Sequence, residues 1–348
     1  MASHRRPKPP SRTRVTVLTA TAAAAVALSS QAANAAPTPS KADVKEKVDK
    51  LYEDAEKATE KANGAEEAQD KLEKQVGALQ DKVARGQDEL NEMRDGLGLM
   101  ASSQYRTGGI DPALQLFLSS DPDSYLEKAS TLDQVSGKQA ESLKRIQDKQ
   151  RTLAQQRQEA QGKVKDLADT RKVLTEKKKE VQGKLASAQK LLNSLTEKER
   201  ADLAKAEEER ASRGSGGGST SSRTDLGDTP ASSSRAAAAF AAAQGKIGTP
   251  YVYGASGPSS FDCSGLTSWA YAQAGVSIPR TSESQANAGT RLSQSQLQKG
   301  DLVIFYGDLH HVGFYAGNGQ VLHAPKPGAS VRYEAIGNMP FQFGVRIA

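Results

Sequence analysis

The pattern that most constrains the fold is a long series of apolar residues, spaced three and four apart, between Val44 and Met100. Residues at this spacing line one side of an α-helix and form the seam of a coiled coil. The residues between them are mostly Lys, Glu, Asp and Gln, and the seam is interrupted at Gln69 and Gly86. The pattern therefore predicts one long helix with a solvated outer face.

A second seam of the same kind runs from Leu132 to Leu195. Polar residues interrupt it at Gln150, Arg157, Arg171 and Lys178. The stretch between the seams contains glycines and prolines, which break helices. We therefore expect an antiparallel helical hairpin over residues 36–212, with its tip near residues 107–126. A parallel dimer through the same seams is the alternative.

Residues 1–35 have the pattern of a secretory signal peptide. Basic side chains precede an apolar run, and the small residues Ala33, Asn34 and Ala35 follow it. The run of about 14 residues falls short of the roughly 20 that a membrane-spanning helix needs. The segment also supplies most of the formal net charge of +6, so the rest of the chain is almost neutral. We expect a secreted protein associated with the cell wall, and no binding of nucleic acid.

The composition changes twice more toward the C-terminus. Residues 213–232 are rich in Gly, Ser and Thr without periodicity, which is typical of a flexible linker. Residues 233–348 hold most of the aromatic residues, an Ala-rich helical stretch, a second helix after Cys263 and several strand-like runs. This order predicts an α+β domain with helices packed on an antiparallel sheet.

Cys263 is the only cysteine of the chain. Exported proteins use cysteines mainly in disulfide pairs, so a single one is either a buried apolar residue or a reactive group. It follows a turn-rich stretch and precedes "SGLTSWAYAQAG", whose apolar residues fall on one helical face. The sulfur is thus predicted at a helix N-terminus, which favours the thiolate and can bind an oxyanion. We expect a thiol pKa well below the ~8.5 of free cysteine.

Three histidines, His310, His311 and His323, follow the predicted signal peptide. The residues between His311 and His323 alternate like two strands joined by a turn at residues 317–319. A three-residue turn puts both side chains on one face of this hairpin, one diagonal step or roughly 7 to 8 Å apart. A two-residue turn puts them on opposite faces. A catalytic pair requires the three-residue turn, with Gly319 in the left-handed conformation.

These residue types are those of nucleophilic catalysis. In such a site Cys263 attacks a carbonyl carbon, His311 takes the thiol proton and later protonates the leaving amine, and His323 orients His311. His310 is interpreted as a loop residue beside the base.

Several stretches of the C-terminal region resemble the NlpC/p60 papain-like cysteine peptidases of bacterial cell walls. They are "GTPYVYGASGPSSFDCSGL", "IPRTSESQ", "KGDLVIF", "HVGFYAGNGQVLHAP" and the closing strand. A "DCSG" alone is common, but these stretches in this order and at this spacing are specific. The resemblance covers most of residues 236–348.

This resemblance implies a papain-like fold, with Cys263, His311 and His323 as the catalytic residues and without a metal or cofactor. It also implies a substrate-binding set of Tyr251, Asp262, Ser264 and Ser282. The implied substrate is peptidoglycan, cleaved within stem peptides and commonly between D-glutamate and the diamino acid. Tyr253 and Ala255 depart from the Trp and Gly of the "PYxWGG" motif, which leaves the fine specificity open.

A long coiled coil ahead of such a domain resembles division-associated wall hydrolases. In those proteins the hairpin restrains the enzyme or docks to a membrane complex. We therefore expect the hairpin to cover the Cys263 groove until a membrane-bound division or transporter-like regulator moves it. A linker of about 20 Gly/Ser-rich residues reaches roughly 25 Å, which permits this docking. The alternative is a passive spacer.

Three other functions compete with the peptidase. A catalytically inactive wall-binding protein would not need Cys263, His311 and His323 together. The same three residues are zinc ligand types, but the sequence lacks paired ligand motifs. A glycosidase would need an acid/base pair, which neither Glu283 nor Glu334 forms convincingly.

Overall fold

The computed structural model describes residues 40–106, 114, 125–212 and 230–347. The predicted signal peptide, most of the predicted hairpin tip and most of the predicted linker lie outside these residues. Among the helices that are described, none combines the length and the apolar character needed to cross a membrane.

The two long helices, α1 (Lys41–Arg106) and α2 (Tyr125–Asn193), form an antiparallel hairpin. Ion pairs join Glu66 to Lys178 at 3.3 Å and Glu73 to Arg171 at 2.8 Å, so residue numbers rise along α1 as they fall along α2. The buried seam includes Val76, Leu79, Leu90, Ile146, Leu153, Leu167, Leu174 and Val181. The predicted hairpin is confirmed, because the two seams pair within one chain.

A third helix, α3 (Glu197–Ser212), follows a break after α2. Thr196 N donates to the Glu199 carboxylate at 2.8 Å, and Glu199 N donates to Thr196 Oγ1 at 3.3 Å. This reciprocal arrangement is a capping box, which starts a new helix. The helix then reaches the C-terminal domain, where Arg210 lies 3.3 Å from Glu334. Residues 36–212 therefore contain a third helix that the heptad pattern did not separate from the second.

Within residues 230–347 the fold is α+β, as predicted. The helices are α4 (Ser234–Gln244), α5 (Cys263–Gln273) and the single turn α6 (Ser282–Gln285). The strands are β1 (Thr290–Leu292), β2 (Leu302–Phe305), β3 (His311–Gly317), β4 (Gln320–His323), β5 (Arg332–Ala335) and β6 (Phe341–Arg346). They form one antiparallel sheet in the order β1-β6-β2-β3-β4-β5.

The boundary predicted between linker and domain needs a correction. Ser232 N donates to Lys299 O at 3.2 Å, and Lys299 N donates to Pro230 O at 3.1 Å. Ala231 forms a parallel bridge with the same residue. Residues 230–232 were assigned to the linker, but these backbone hydrogen bonds attach them to the domain.

The core of the domain fixes α5 against the sheet. Phe314 of β3 is fully buried between two aromatic rings, with Tyr271 of α5 stacked at 5.6 Å and Phe240 of α4 edge-on at 6.3 Å between centroids. Burial of aromatic rings dominates the stability of such cores. This packing holds the first residue of α5 beside the first residue of β3, which are Cys263 and His311.

The β3–β4 hairpin places His311 and His323 on one face. Phe314 lies opposite Leu322 and Tyr315 opposite Val321, and the register then shifts before Gly317. Only Asn318 and Gly319, both at positive φ, separate the strands. The same-face prediction is confirmed, but the structure reaches it with a two-residue turn and a bulge, since the extra residue of a bulge restores the alternation.

Candidate active site

Cys263 occupies the predicted position at the N-terminus of α5. The Asp262 side chain caps the helix by accepting a hydrogen bond from Gly265 N at 2.6 Å. The thiol is buried, and its Sγ lies 3.8 Å from the backbone oxygen of His310. The first turn of a helix leaves backbone amides without an intrahelical partner, and such amides can stabilise an oxyanion.

A buried ion pair supports this helix start. Arg280 donates to both oxygens of Asp262, at 3.0 and 2.7 Å, and also to Ser264 Oγ at 2.8 Å. Asp262 further accepts a hydrogen bond from Gly254 N at 3.0 Å. The carboxylate predicted to line the substrate site is thus fully engaged in holding Arg280 and the start of α5.

The two histidines of the β3–β4 hairpin contact each other directly. His311 Nε2 lies 2.7 Å from His323 Nδ1. On the far side, His323 Nε2 is 3.4 Å from Glu334 Oε2, and Arg332 donates to the same oxygen at 3.0 Å. Burial lowers the pKa of His323 to about 4. Neutral His323 therefore accepts a hydrogen bond from His311 Nε2 at its Nδ1, and its Nε2 lies on the side of Glu334.

Helix α1 covers the other side of His311. The Glu56 carboxylate lies 2.5 Å from His311 Nδ1, and both residues are buried. Burial disfavours the charged imidazole, but the Glu56 carboxylate outweighs it, so the pKa of His311 is raised. A protonated His311 donates hydrogen bonds from both ring nitrogens. In this state it has no lone pair with which to accept the thiol proton.

One helical turn further along α1, the Glu60 carboxylate lies in a group of hydrogen-bond donors. Ser264 Oγ donates to Oε1 at 2.7 Å, and Ser282 donates to Oε2 from its backbone N at 2.6 Å and from its hydroxyl at 2.8 Å. Cys263 Sγ is 4.0 Å from Oε1. Burial, and then the negative charge of Asp262, raises the pKa of Glu60 to about 7.

Further contacts extend along the same helix. Asn63 Nδ2 donates to Asp262 at 3.1 Å, and the Tyr253 hydroxyl donates to the backbone oxygen of Tyr52 at 3.1 Å. The face of α1 that carries Glu56, Glu60 and Asn63 is buried. Its four- and three-residue spacing keeps these side chains in line along one side of the helix. The predicted solvated face of this part of α1 is therefore an interface with the C-terminal domain.

The thiol pKa departs from the sequence-based expectation. Burial raises the pKa of Cys263 well above its usual value, and the negative charges of Glu56, Glu60 and Asp262 raise it further. A helix N-terminus favours a thiolate, but nearby carboxylates and exclusion of water oppose it. The prediction of a lowered pKa is wrong for this closed arrangement, because the docked helix supplies two of the carboxylates.

The remaining predicted site residues lie around the same centre. Tyr251 is buried and contacts Tyr253 edge-on at 5.1 Å between centroids. Its pKa is raised well above the usual value by burial, then by the charges of Glu56 and Cys263. His310, which the sequence assigns to a loop, is buried there, with its ring stacked on Tyr306.

The sequence did not single out Glu56, Glu60 or Arg280, and Glu334 was considered only as an acid of a glycosidase. The first two are indistinguishable from the other acids of the heptad pattern. Arg280 lies in "IPRTSESQ", a stretch that already carried the family resemblance. Glu334 had no usable signal, since the alternation of Val331, Arg332 and Tyr333 places it on the polar side of the strand, whereas the structure buries it.

Within the described part of the chain, the group of side chains suited to a metal ion is Glu56, Cys263 and His311, whose ligand atoms lie within 4.8 Å of one another. Carboxylate, thiolate and imidazole are zinc ligand types. This set differs from the one considered from the sequence, because Glu56 replaces His323. Here Glu56 and His311 are hydrogen-bonded to each other.

Residues 248–344 match the family model described as "NlpC/P60 family". The C-terminal domain belongs to the NlpC/P60 family. A probable endopeptidase of Corynebacterium glutamicum strain R is 49% identical over 126 residues, which are 34% of this chain and 60% of the relative. A second one, from strain ATCC 13032 of that species, is 53% identical over 105 residues, or 30% and 50% of the two chains. The match thus spans half to three-fifths of these curated relatives.

The NlpC/p60 domain of the peptidoglycan hydrolase SagA is 41% identical, with 32% of this chain and 98% of that chain covered and a TM-score of 0.31.

Removing the α1 carboxylates should restore a more acidic thiol. We expect Glu56→Gln with Glu60→Gln to lower the pH midpoint of Cys263 alkylation by iodoacetamide by about one unit, equivalent to about 1.4 kcal/mol of lost repulsion. Mass spectrometry of the alkylated peptide across a pH series measures this midpoint.

The matched control is Glu73→Gln, which removes an α1 carboxylate that pairs with Arg171 of α2. Its midpoint should equal that of the unaltered chain. An unchanged midpoint in the double variant would contradict the role assigned to Glu56 and Glu60.

Proposed function

We propose that this chain is a secreted, cell-wall-associated cysteine endopeptidase that cleaves peptidoglycan stem peptides. The observation that carries the proposal is the line formed by Cys263 at a helix N-terminus, His311 and His323, within a domain of the NlpC/P60 family. The signal-peptide pattern of residues 1–35 supports secretion. Glu334, held by Arg332, extends the line beyond His323.

In the proposed reaction, His311 first loses its partner Glu56 and becomes neutral. Its Nδ1 then takes the thiol proton, and the Cys263 thiolate attacks the carbonyl carbon of the stem-peptide amide. Backbone amides at the start of α5 stabilise the oxyanion. The imidazolium protonates the leaving amine, and a thioester remains on Cys263. Water, deprotonated by His311, hydrolyses it, while His323 keeps the imidazole oriented.

The binding of the Glu60 carboxylate by the domain indicates where a substrate carboxylate would bind, and it supports a D-glutamyl residue on the acyl side of the scissile bond. Ser264 and Ser282 give three hydrogen bonds to its carboxylate, and the Arg280 guanidinium lies against Ser264. A D-glutamate linked through its γ-carboxyl keeps a free α-carboxylate, which these donors can bind. We therefore assign the bond between D-glutamate and the diamino acid. Tyr251 then forms a wall of the site, and Asp262 holds Arg280 in place.

The hairpin is proposed to restrain the enzyme. Glu56 engages the base. Glu60 occupies the carboxylate subsite, which is the group of hydrogen-bond donors on Ser264 and Ser282. Both contacts involve buried side chains. A passive spacer would leave the groove open. Because α1 and the domain belong to one chain, even a weak contact is well occupied. Activation then requires displacement of α1, for which a membrane-bound division or transporter-like regulator acting on the hairpin is the proposed partner.

The catalytic assignment predicts two degrees of loss among three variants. In a chain opened by Glu56→Ala with Glu60→Ala, adding Cys263→Ala or His311→Ala should abolish hydrolysis of purified peptidoglycan. His323→Ala should lose less, since water can partly replace an orienting residue. Mass spectrometry of the released muropeptides should show cleavage between D-glutamate and the diamino acid. Full hydrolysis by the Cys263→Ala variant would refute a cysteine endopeptidase.

The restraint predicts a gain of activity. Glu56→Ala with Glu60→Ala should speed peptidoglycan hydrolysis at least about tenfold over the unaltered chain, which corresponds to about 1.4 kcal/mol of lost closed-state stability. The matched control is Glu73→Ala with Glu89→Ala, because these α1 carboxylates pair with Arg171 and Lys149 of α2. Equal turnover by all three chains would leave the passive spacer as the role of the hairpin.

A further inference from the structure

The loop between β2 and β3 carries a carboxylate, Asp308, three residues before the proposed base His311. Tyr306 and Leu309 adopt positive φ values of 62° and 58°, a conformation that non-glycine residues hold only when their surroundings enforce it. Tyr306 N donates to Pro340 O at 2.8 Å, and Leu309 N donates to Tyr306 O at 3.0 Å. These bonds define the shape of the loop, and Asp308 lies at its exposed side.

One oxygen of Asp308 is oriented from within the domain. His310 Nδ1 bonds to Asp308 Oδ1, and the His310 ring is buried and stacked on Tyr306 at 4.2 Å between centroids. The other oxygen, Oδ2, faces α1 and lies 3.2 Å from Lys57 Nζ. The side chain of Asp308 remains 47% exposed, so this oxygen is accessible once α1 leaves.

Helix α1 presents a negative charge to the Cys263 side of the domain and a positive charge to the loop before the His311 strand. Glu60 places a carboxylate against Ser264 and Ser282, on the side of the Cys263 helix. Glu56 covers His311, and Lys57 places an ammonium group on Asp308, in the loop that leads into the His311 strand. The domain thus binds an anion on the nucleophile side and a cation on the base side.

The proposed substrate carries charges in the same order. A γ-linked D-glutamate presents its α-carboxylate on the acyl side of the scissile amide, and the diamino acid follows with a side-chain amine. His311 must reach the leaving nitrogen to protonate it, so the diamino acid lies on the base side. That side carries Asp308. The α-carboxylate of the D-glutamate, on the acyl side, already has its partners in the carboxylate subsite.

We propose that Asp308 binds the free side-chain ammonium of the diamino acid, so that the enzyme prefers stem peptides whose amine is not acylated by a cross-link. This inference rests on the proposed function. Lys57 then occupies the position of the substrate amine in the closed chain. The pairing of Asp308 with the substrate ammonium selects for a free amine, because an acylated amine would leave Asp308 without a cation.

The test uses the full chain opened by Glu56→Ala with Glu60→Ala. The substrates are synthetic peptides L-Ala-γ-D-Glu-X, in which X is lysine, Nε-acetyl-lysine or norleucine. We expect kcat/KM for lysine to exceed the other two about tenfold, as for one hydrogen bond to a charged group. Asp308→Asn in the same background should reduce this ratio to near one. Glu283→Gln, which removes an exposed carboxylate next to Ser282, should keep it.

The outcomes separate the two proposals. If none of the peptides is cleaved, the proposed function is refuted and the inference with it. If the peptides are cleaved at equal rates, or if Asp308→Asn keeps the preference for lysine, the endopeptidase stands and the role of Asp308 is overturned. Asp308→Lys gives an independent arm, since it should favour X as 2-aminoadipate over lysine; a persistent preference for lysine would also overturn the inference.

Discussion

The contact between the Glu56 carboxylate and His311 Nδ1 is the interaction on which the rest of the arrangement depends. It raises the pKa of His311 and so favours the protonated imidazole, which cannot act as a base. It also fixes the position of α1, because side chains four and seven residues along a helix follow on the same face. Glu60 and Asn63 then fall against the carboxylate subsite and Asp262. One helix thereby blocks both the base, His311, and the carboxylate subsite.

The chemistry of this interface suits a restraint that can be released. Buried ion pairs add little net stability, because desolvation of the charges offsets most of their attraction. The raised pKa of Glu60 reflects the cost of removing its carboxylate from water, and the nearby negative charge of Asp262 adds to that cost. The half-buried pairs of Glu207 in α3 with Lys45 and Lys326 contribute modestly as well. Such contacts define one docked geometry, and a partner that binds the hairpin can displace it.

Local and periodic features of the fold could be predicted from the sequence. Heptads identified the hairpin, and turn composition placed Cys263 at a helix start. The requirement for a catalytic pair put His311 and His323 on one face, although through a three-residue turn that the structure replaces with a two-residue turn and a bulge. The hairpin was expected to cover the Cys263 groove, but the residues that dock it could not be predicted, because Glu56 and His311 are far apart in sequence and nothing distinguishes Glu56 from neighbouring solvated acids. The wrong direction for the Cys263 pKa has the same origin. The helix break at Thr196 was accessible, since its capping box can be recognised in the sequence.

The most direct test of the account is the ¹⁵N NMR titration of the His311 ring in the full chain and in Glu56→Gln, with Glu73→Gln as the control. Only four histidines are present, so the ring signals can be assigned by substitution. We expect the His311 pKa to lie above that of an ordinary imidazole in the unaltered chain and in the control, and to fall when Glu56 is neutralised. An equal His311 pKa in all three chains would contradict the claim that α1 disables the base.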